Sequence, residues 1–293
     1  MGAPMGAAIV RPAAWPVASS AEQPAAPGAA AHQYTLRPAT TKASYVTVND
    51  EDLEMEKRLL TLANQSRRQA GAPPLTMDAG LSQAARIHAQ AMLQARRLSH
   101  QFDGEPSLPQ RLATATRLQL EQEGENVALD YDAEHGHEHL MLSPPHRANL
   151  LNPAYNVVGV GVVRGGSQIY IVQDFGSALP NYSLAEVKQR VATAVNQMRR
   201  QASRPELQRS DWRDADASAC SMAQADKLGM PADSKPAERF TVLTYTSLHP
   251  QVLPGGAAHA VAGRDLRSFS IGVCDARTPT YPTGVYWVVL ALE

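Results

Sequence analysis

The chain has only two cysteines among its 293 residues, Cys220 and Cys274, and aromatic residues make up 5% of the sequence. Two cysteines cannot build the disulfide scaffold of a small secreted domain, so the fold must rest on a hydrophobic core. With few aromatic rings, aliphatic and alanine side chains must form most of that core. The cysteines themselves have two possible states: one disulfide in an oxidising compartment, or two buried free thiols.

The sequence also lacks an excess of charge of one sign, with 27 Lys and Arg against 28 Asp and Glu. Nucleic-acid binding needs a clustered basic face, so no nucleic-acid partner is expected. No apolar run reaches the roughly 18 residues that a membrane-spanning helix needs, so no transmembrane span is expected. The hydrophobic content of 44% is typical of a globular chain, long enough for one large or two ordinary domains.

Residues 1–48 are dominated by Ala and Pro and offer little large apolar surface to bury, which predicts a disordered or extended segment. A signal peptide is not clearly present. The mildly apolar stretch 5–20 is broken by Arg11, Pro12 and Pro16, and no basic region precedes it. The alternatives are a truncated start, or a linker behind a signal that has been removed.

Hydrophobic periodicity after this segment predicts two long helices, a loop with a short helix, a third helix and a β-hairpin. In chain order these elements span about 52–70, 78–97, 101–125 with its helix near 110–120, 133–142, and two strands at 157–163 and 169–175. Pro144-Pro145 ends the third helix, because proline lacks an amide donor.

A similar pattern begins again after residue 182. Segment 196–202 matches segment 64–70 at six of seven positions, at an offset of 132 residues, and segment 271–273 echoes 160–162 at an offset of 111. This predicts that residues 183–293 are a degenerate second copy that has lost roughly 21 residues from its middle. The alternative is two unrelated helix-plus-hairpin units of similar composition.

Three local motifs lie between residues 98 and 153: Ser99-His100, then Gly124-Glu125-Asn126, then a segment from Ser143 to Pro153 that contains His146. With the surrounding pattern from about 52 to 177, they resemble the bacterial branch of the CAP superfamily, also called the SCP domain. The resemblance implies an α+β fold, an α-β-α sandwich with a solvent-open cavity, over residues 49–179. The shortened, CAP-like copy would then occupy 183–293.

The resemblance assigns His100, Glu125 and His146 to the cavity. Ser143 stands about where the family has a second glutamate, and Ser143 and His137 are possible additional cavity residues. Imidazole nitrogen and carboxylate oxygen are ligands for a Zn²⁺-like ion with an open position, and the same groups can also serve as general acid and base. Sequence spacing alone does not show that these residues converge.

The histidines also have structural explanations. His146 alone could cap a helix, and Glu125 could cap local amides. His88 lies on the apolar stripe of the second helix, where a hydrogen-bonded core histidine is expected. In the tract 135–139, His135 and His139 share one helix face, and His137 is the residue that can point inward.

These features lead to one hypothesis and two alternatives. The hypothesis is a non-enzymatic protein, secreted or envelope-associated, in an extracellular or periplasmic location. It would bind a divalent metal such as Zn²⁺ and a lipid, sterol or cell-surface ligand in the cavity. The first alternative is a metal-dependent, peptidase-like hydrolase that uses Glu125 and a metal-bound water. The second is a purely structural module in which one copy docks on the other.

The repeat also bears on the two cysteines. At the offset of 132, Cys220 falls at the position of His88, and Cys274 follows the strand segment that mirrors 160–162. In an α-β-α sandwich this helix and this strand can pack against each other. A Cys220–Cys274 disulfide is therefore expected if the protein is exported, and two buried thiols are the alternative.

Overall fold

A computed structural model of the chain describes residues 49–229 and 240–293. The segment 1–48, expected to be extended, lies outside these residues. The described helices are α1 (Asp50–Gln69), α2 (Ala79–Ala95), α3 (Leu108–Ala115), α4 (Ala133–Leu142), α5 (Pro144–Leu151), α6 (Leu184–Gln201), α7 (Ala215–Gln224) and α8 (Ala257–Val261). The described strands are β1 (Thr76–Met77), β2 (Leu120–Asp130), β3 (Val157–Gly165), β4 (Gln168–Ala178), β5 (Gln208–Arg209), β6 (Thr241–Ser247), β7 (Ser268–Ala276) and β8 (Val285–Leu292).

The first half is built around a four-stranded sheet in the order β1-β3-β4-β2, in which β1 is parallel to β3 and the other pairs are antiparallel. Leu59 of α1 and Leu140 of α4 pack with Val160 of β3 in one apolar cluster. Met92 of α2 packs with Val172 of β4 in another. Successive strand residues face opposite sides, so helices cover both faces of the sheet. This is a mixed α/β fold, consistent with the expected α-β-α sandwich.

The second half contains a sheet of the same design. Its order is β5-β7-β8-β6, with β5 parallel to β7 and the other pairs antiparallel. Val191 of α6 and Val261 of α8 lie in one apolar cluster, and Met222 of α7 lies in another. Cys220 of α7 and Cys274 of β7 are joined by a disulfide, with their Cα atoms 5.0 Å apart. No helix in 49–229 or 240–293 is long and apolar enough to cross a membrane.

One local prediction in the first half is wrong. Residues 120–130 form strand β2 and not the end of a loop with a helix, since α3 ends at Ala115. The strand escaped detection because its motif Gly124-Glu125-Asn126 replaces the apolar alternation with polar residues. Pro144-Pro145 follows the end of α4 as predicted, but the two prolines also occupy the first turn of α5, where a missing amide donor costs nothing. His146 therefore lies on a helix.

If the second half is a copy of the first, the buried residues of α2 and α7 align at an offset of 130 residues and not at the predicted 132. The buried residues that define this offset are Ala85, Ala89 and Met92 in α2, and Ala215, Ala219 and Met222 in α7. A left-handed residue follows each helix, Arg96 with φ 50° and Asp226 with φ 47°. At that offset Ser218 would stand at the position of His88, and the expected match of Cys220 with His88 stays a prediction.

Candidate functional site

Glu125 lies on β2, where its Cα atom is paired with that of Asp174 on β4. The preceding Gly124 has no room for a side chain, because an added Cβ would collide with the hydroxyl of Tyr155. That hydroxyl donates a hydrogen bond to the carbonyl oxygen of Glu123 at 3.1 Å. The close approach of Tyr155 therefore explains the glycine of the motif.

Two asparagines tie β2 to α5. The side-chain amide of Asn126 donates to the carbonyl oxygen of His146 at 3.0 Å, and that of Asn149 donates to the carbonyl oxygen of Glu125 at 3.1 Å. Asn149 also donates to Oδ1 of Asn126 at 3.0 Å. These bonds hold the first turn of α5, and with it His146, beside Glu125.

The structure brings the three expected cavity residues together. Nδ1 of His100 lies 2.9 Å from Oε1 of Glu125, and the ring centroids of His100 and His146 are 6.3 Å apart. The His100 side chain is 58% exposed, whereas that of Glu125 is 4% exposed. A solvent-facing imidazole is thus attached to a buried carboxylate, with a second imidazole next to it.

Residues 60–175 match the sequence profile of the CAP family, the Cysteine-rich secretory protein family, and this range contains all three residues. Residues 60–175 therefore form a domain of the CAP family.

Relatives of the CAP domain are found in Bacillus subtilis strain 168. The chain is 33% identical over 144 residues to "Uncharacterized protein YkwD", covering 47% of this chain and 56% of that protein. It is 34% identical over 121 residues to "Uncharacterized membrane protein YlbC", covering 41% of this chain and 34% of that protein. The match thus spans about half and about a third of the lengths of these relatives. Among solved structures, an extracellular protein containing a SCP domain from Bacillus anthracis str. Ames matches with a TM-score of 0.40 and 23% identity, covering 45% of this chain and 44% of that chain.

Within the CAP domain, a buried arginine holds the carboxylate of Glu125. Arg111 of α3 donates to Oε2 of Glu125 and, at 3.3 Å, to the carbonyl oxygen of His100. Its guanidinium also lies 3.4 Å from Oε2 of Glu105, and its side chain is 6% exposed. Charge-assisted bonds of this kind are strong, and the loss of one partner leaves a buried charge uncompensated.

His88 forms the other side of the same network. Its Nδ1 lies 2.7 Å from Oε1 of Glu105, and its Nε2 lies 2.8 Å from the carbonyl oxygen of Ser99. Both ring nitrogens of His88 therefore have a hydrogen-bond partner, a carboxylate oxygen for one and a carbonyl oxygen for the other. His88 is fully buried and hydrogen-bonded, as expected from its place on the apolar stripe.

Asp174 is fully buried opposite Glu125, and neither of its carboxylate oxygens has a hydrogen-bond partner among the described residues. Burial first, and then the negative charge of Glu125, raise the pKa of Asp174 well above its usual value. Beneath the histidine pair, the guanidinium of Arg111 lies between the carboxylates of Glu105 and Glu125.

The two additional candidates have other surroundings. His137 is 8% exposed, and its Nε2 lies 2.8 Å from Oγ of Ser66 on α1. Burial lowers the pKa of His137. Ser143 joins α4 to α5, and its side chain makes no capping hydrogen bond to α5. Their assignment to the cavity stays a prediction, and the recorded contact of His137 is to α1.

A metal site with His100, Glu125 and His146 as three direct ligands does not fit these contacts. Both oxygens of Glu125 already accept hydrogen bonds, from His100 and from Arg111. Across residues 49–229 and 240–293, no group of three or more His, Cys, Asp or Glu side chains is arranged to hold an ion. Two imidazole ligands, with Glu125 as the hydrogen-bond partner of His100, do fit.

Sequence reasoning missed Arg111, Glu105 and Asp174 as members of this site. Asp174 carried a usable signal, because a carboxylate inside the apolar run of a buried strand needs a special environment. Arg111 and Glu105 carried none, since charged residues in a polar loop and a short helix are ordinarily exposed.

Proposed function

We propose that this protein is a non-enzymatic binding protein of the cell exterior or envelope, in which His100 and His146 bind a divalent ion such as Zn²⁺. The observation that carries the proposal is the 2.9 Å contact between Nδ1 of His100 and Glu125. A carboxylate that accepts from Nδ1 leaves Nε2 as the nitrogen that binds the metal. Open positions on the ion would be available to a lipid, sterol or cell-surface ligand.

His146 is suited to the same role. Burial first, and then the neighbouring His100, lower the pKa of His146. A lower pKa keeps the imidazole neutral near pH 7, and only a neutral imidazole binds a metal ion.

The contacts of Glu125 do not favour the alternative of a metal-dependent hydrolase. A general base must reach, and accept, a proton from a reacting group. The Glu125 side chain is 4% exposed, and both of its oxygens are engaged by His100 and Arg111. These contacts support a role for Glu125 in orienting His100.

The disulfide between Cys220 and Cys274 supports the exterior location, because disulfides persist in oxidising compartments. Counting thiols on denatured, unreduced protein from its native compartment tests this point. Two reactive thiols would contradict it.

Titration calorimetry with Zn²⁺ tests the binding proposal. The His100→Ala/His146→Ala variant is expected to lose one equivalent of binding relative to the wild type. The matched control is His259→Ala, which removes an exposed histidine of the second half and is expected to leave binding unchanged. Unchanged stoichiometry and affinity in the double variant would overturn the proposal. Peptide hydrolysis that disappears in Glu125→Gln would favour the hydrolase.

We further propose that residues 183–293 are a degenerate CAP-like copy. Arg67 and Arg199 support this, since each is buried and donates from Nε to a proline carbonyl, that of Pro73 or Pro205. Nη1 of each arginine donates to two further carbonyl oxygens near the end of a helix, α5 for Arg67 and α8 for Arg199. These are Leu150 and Asn152 for Arg67, and Val261 and Gly263 for Arg199. Val261 and Gly263 each lie 111 residues after their counterparts Leu150 and Asn152, the same offset as in the strand segments.

The sheet registers indicate which residues the copy has lost. In the first half, Asp174 on β4 is paired with Glu125 on β2 and with Gly159 on β3. In the second half, Ala291 on β8 is paired in the same way with Val242 on β6 and with Ser270 on β7. Apolar residues likewise stand at the other site positions: Leu243 for Asn126, Leu290 for Gln173, and Ala257 for His146. An apolar interior is expected of a copy that no longer binds a ligand.

Contacts between the halves support a structural role for the copy. Arg277 donates to the carbonyl oxygen of Ala113, and the hydroxyl of Thr283 donates to that of Leu120 at 3.1 Å. Nε2 of His249 lies 2.7 Å from Oε1 of Glu121. All three contacts reach residues 113–121, which run from the end of α3, the helix of Arg111, into the start of β2, the strand of Glu125. The copy would thereby brace the site. Arg277→Ala is expected to weaken Zn²⁺ binding although it removes no site residue, and unchanged affinity would count against the brace.

A further inference from the structure

A second pair of histidines lies on α4, apart from the His100–His146 pair. His135 and His139 are one helical turn apart, and residues at this spacing have Cβ atoms about 5–6 Å from each other on one face. Their side chains are 59% and 62% exposed. Both rings can therefore be reached from solvent on the same side of the helix.

Each of these rings is held through Nδ1 by its own carboxylate. Nδ1 of His135 lies 2.9 Å from both oxygens of Asp132, the residue that also caps the N-terminus of α4. Nδ1 of His139 lies 2.6 Å from Oδ2 of Asp130, which is the last residue of β2. The Asp130 side chain is 3% exposed, and its other oxygen accepts from the amide of Tyr131 at 3.0 Å.

This arrangement determines which nitrogen each ring presents. A carboxylate accepts the Nδ1 proton, so the lone pair of the neutral ring lies on Nε2, away from the carboxylate. Carboxylates play this part behind histidines that ligate metals, where they fix both the tautomer and the ring orientation. Two such histidines four residues apart on a helix form a chelating pair.

We propose that Nε2 of His135 and Nε2 of His139 form a bidentate site for a divalent transition-metal ion of the Ni²⁺, Cu²⁺ or Zn²⁺ class. Imidazole is a suitable ligand for these ions. Cu²⁺ is expected to bind more tightly than either Ni²⁺ or Zn²⁺. No third His, Cys, Asp or Glu is arranged to complete the site among the described residues. Water or an outside ligand therefore occupies the remaining positions, and the ion is exchangeable. The site shares no residue with the His100–His146 pair and does not depend on that proposal.

Titration of the full chain with Ni²⁺ at about pH 8, above the ordinary histidine pKa of about 6.5, tests the site. His135→Ala and His139→Ala are each expected to abolish one equivalent of binding or to weaken it at least tenfold. Asp130→Asn is expected to weaken it about 10- to 100-fold, the effect of losing the carboxylate behind a metal-bound histidine. The matched control is Glu138→Gln, which changes charge on the same helix but not the ligands.

A further variant separates this site from the first one. His100→Ala/His146→Ala is expected to retain the Ni²⁺ equivalent held by α4, whatever its effect on Zn²⁺ binding. Circular dichroism of each variant shows whether α4 remains folded, and the His135 and His139 Cε1–H resonances of the wild type should broaden or shift on adding Ni²⁺. Unchanged Ni²⁺ affinity in a folded His135→Ala/His139→Ala variant, or resonances that do not respond, would overturn the proposal.

Discussion

Nδ1 of His100 lies 2.9 Å from one oxygen of Glu125, and the other oxygen of that carboxylate accepts a hydrogen bond from Arg111. An exposed histidine is therefore connected to a buried cation through a single carboxylate. Since the same groups hold the site and fill the interior of the CAP domain, changes in the buried network are expected to affect folding as well as binding.

Replacing Arg111 is expected to be severely destabilising. Arg111→Met leaves Glu105 and Glu125 without their shared cation, and breaking a buried ion pair in this way costs about 3–5 kcal/mol. Urea unfolding measures the loss. The exposed Arg117 provides a control, because Arg117→Met is expected to change stability by less than about 0.5 kcal/mol. A similarly small effect for Arg111→Met would contradict the network.

Asp174 is expected to make stability fall as pH rises. Burial raises its pKa in the folded protein, so the folded state holds the proton more tightly than the unfolded state. The resulting stabilisation is present below the unfolded pKa of about 3.9 and is lost as pH rises towards the higher folded pKa. The Asp174→Asn variant has no carboxyl group at this position, so this pH dependence should be absent from it. Urea unfolding across this range should show the free energy of unfolding of the variant rising relative to that of the wild type as pH increases. A constant difference between the two would show that Asp174 does not titrate.

The disulfide is expected to stabilise the second half. It joins residues separated by 54 positions, and closing a loop of that length contributes about 4 kcal/mol through lost chain entropy in the unfolded state. Cys220→Ser/Cys274→Ser should therefore unfold at lower urea concentration than the oxidised wild type. The reduced wild type should match the double variant. Equal stability of the oxidised and reduced wild type would show that the bridge contributes nothing.

Each half contains an ion pair between its first two long helices, with the charges placed oppositely, and these pairs make the repeat hypothesis testable. Glu56 of α1 binds Arg86 of α2 and accepts from the amide of Val162. In the second half the carboxylate is on the other helix, where Asp216 of α7 binds Lys188 of α6 and accepts from the amide of Val273.

If these pairs are equivalent, the first half should tolerate the exchange. Glu56→Lys alone places two cations together and is expected to cost about 3–5 kcal/mol. Adding Arg86→Asp should restore part of that loss, with a coupling of about 0.5–3 kcal/mol in a double-mutant cycle. Additive losses would mean that the two pairs are not equivalent.

The sequence predicts elements well where hydrophobic periodicity is complete. The helix expected at 133–142 is observed as Ala133–Leu142, and the two long helices end within a few residues of their predicted limits. Strand β2 was missed because Glu125 and Asn126 are polar residues on buried positions of a strand, which removes the period of two.

The candidate site likewise has features that the sequence predicted and features that it did not. The convergence of His100, Glu125 and His146 followed from the family resemblance and not from their spacing. The role of Glu125 as a hydrogen-bond partner could not be anticipated, because it depends on Arg111, which the fold brings to the carboxylate from α3. In the second half, the offset of 132 taken from α1 and α6 places Cys220 opposite His88, whereas the buried residues of α2 and α7 align at an offset of 130.

The central claim is that His100 and His146 bind a divalent ion with Glu125 behind His100. X-ray absorption at the zinc edge tests it most directly, on the His135→Ala/His139→Ala variant loaded with one equivalent of Zn²⁺. The account predicts two imidazole ligands at about 2.0–2.1 Å, the remainder oxygen from water, and loss of the imidazole signal in the same variant carrying His100→Ala and His146→Ala. A spectrum with no imidazole, or one that survives those two substitutions, would contradict it.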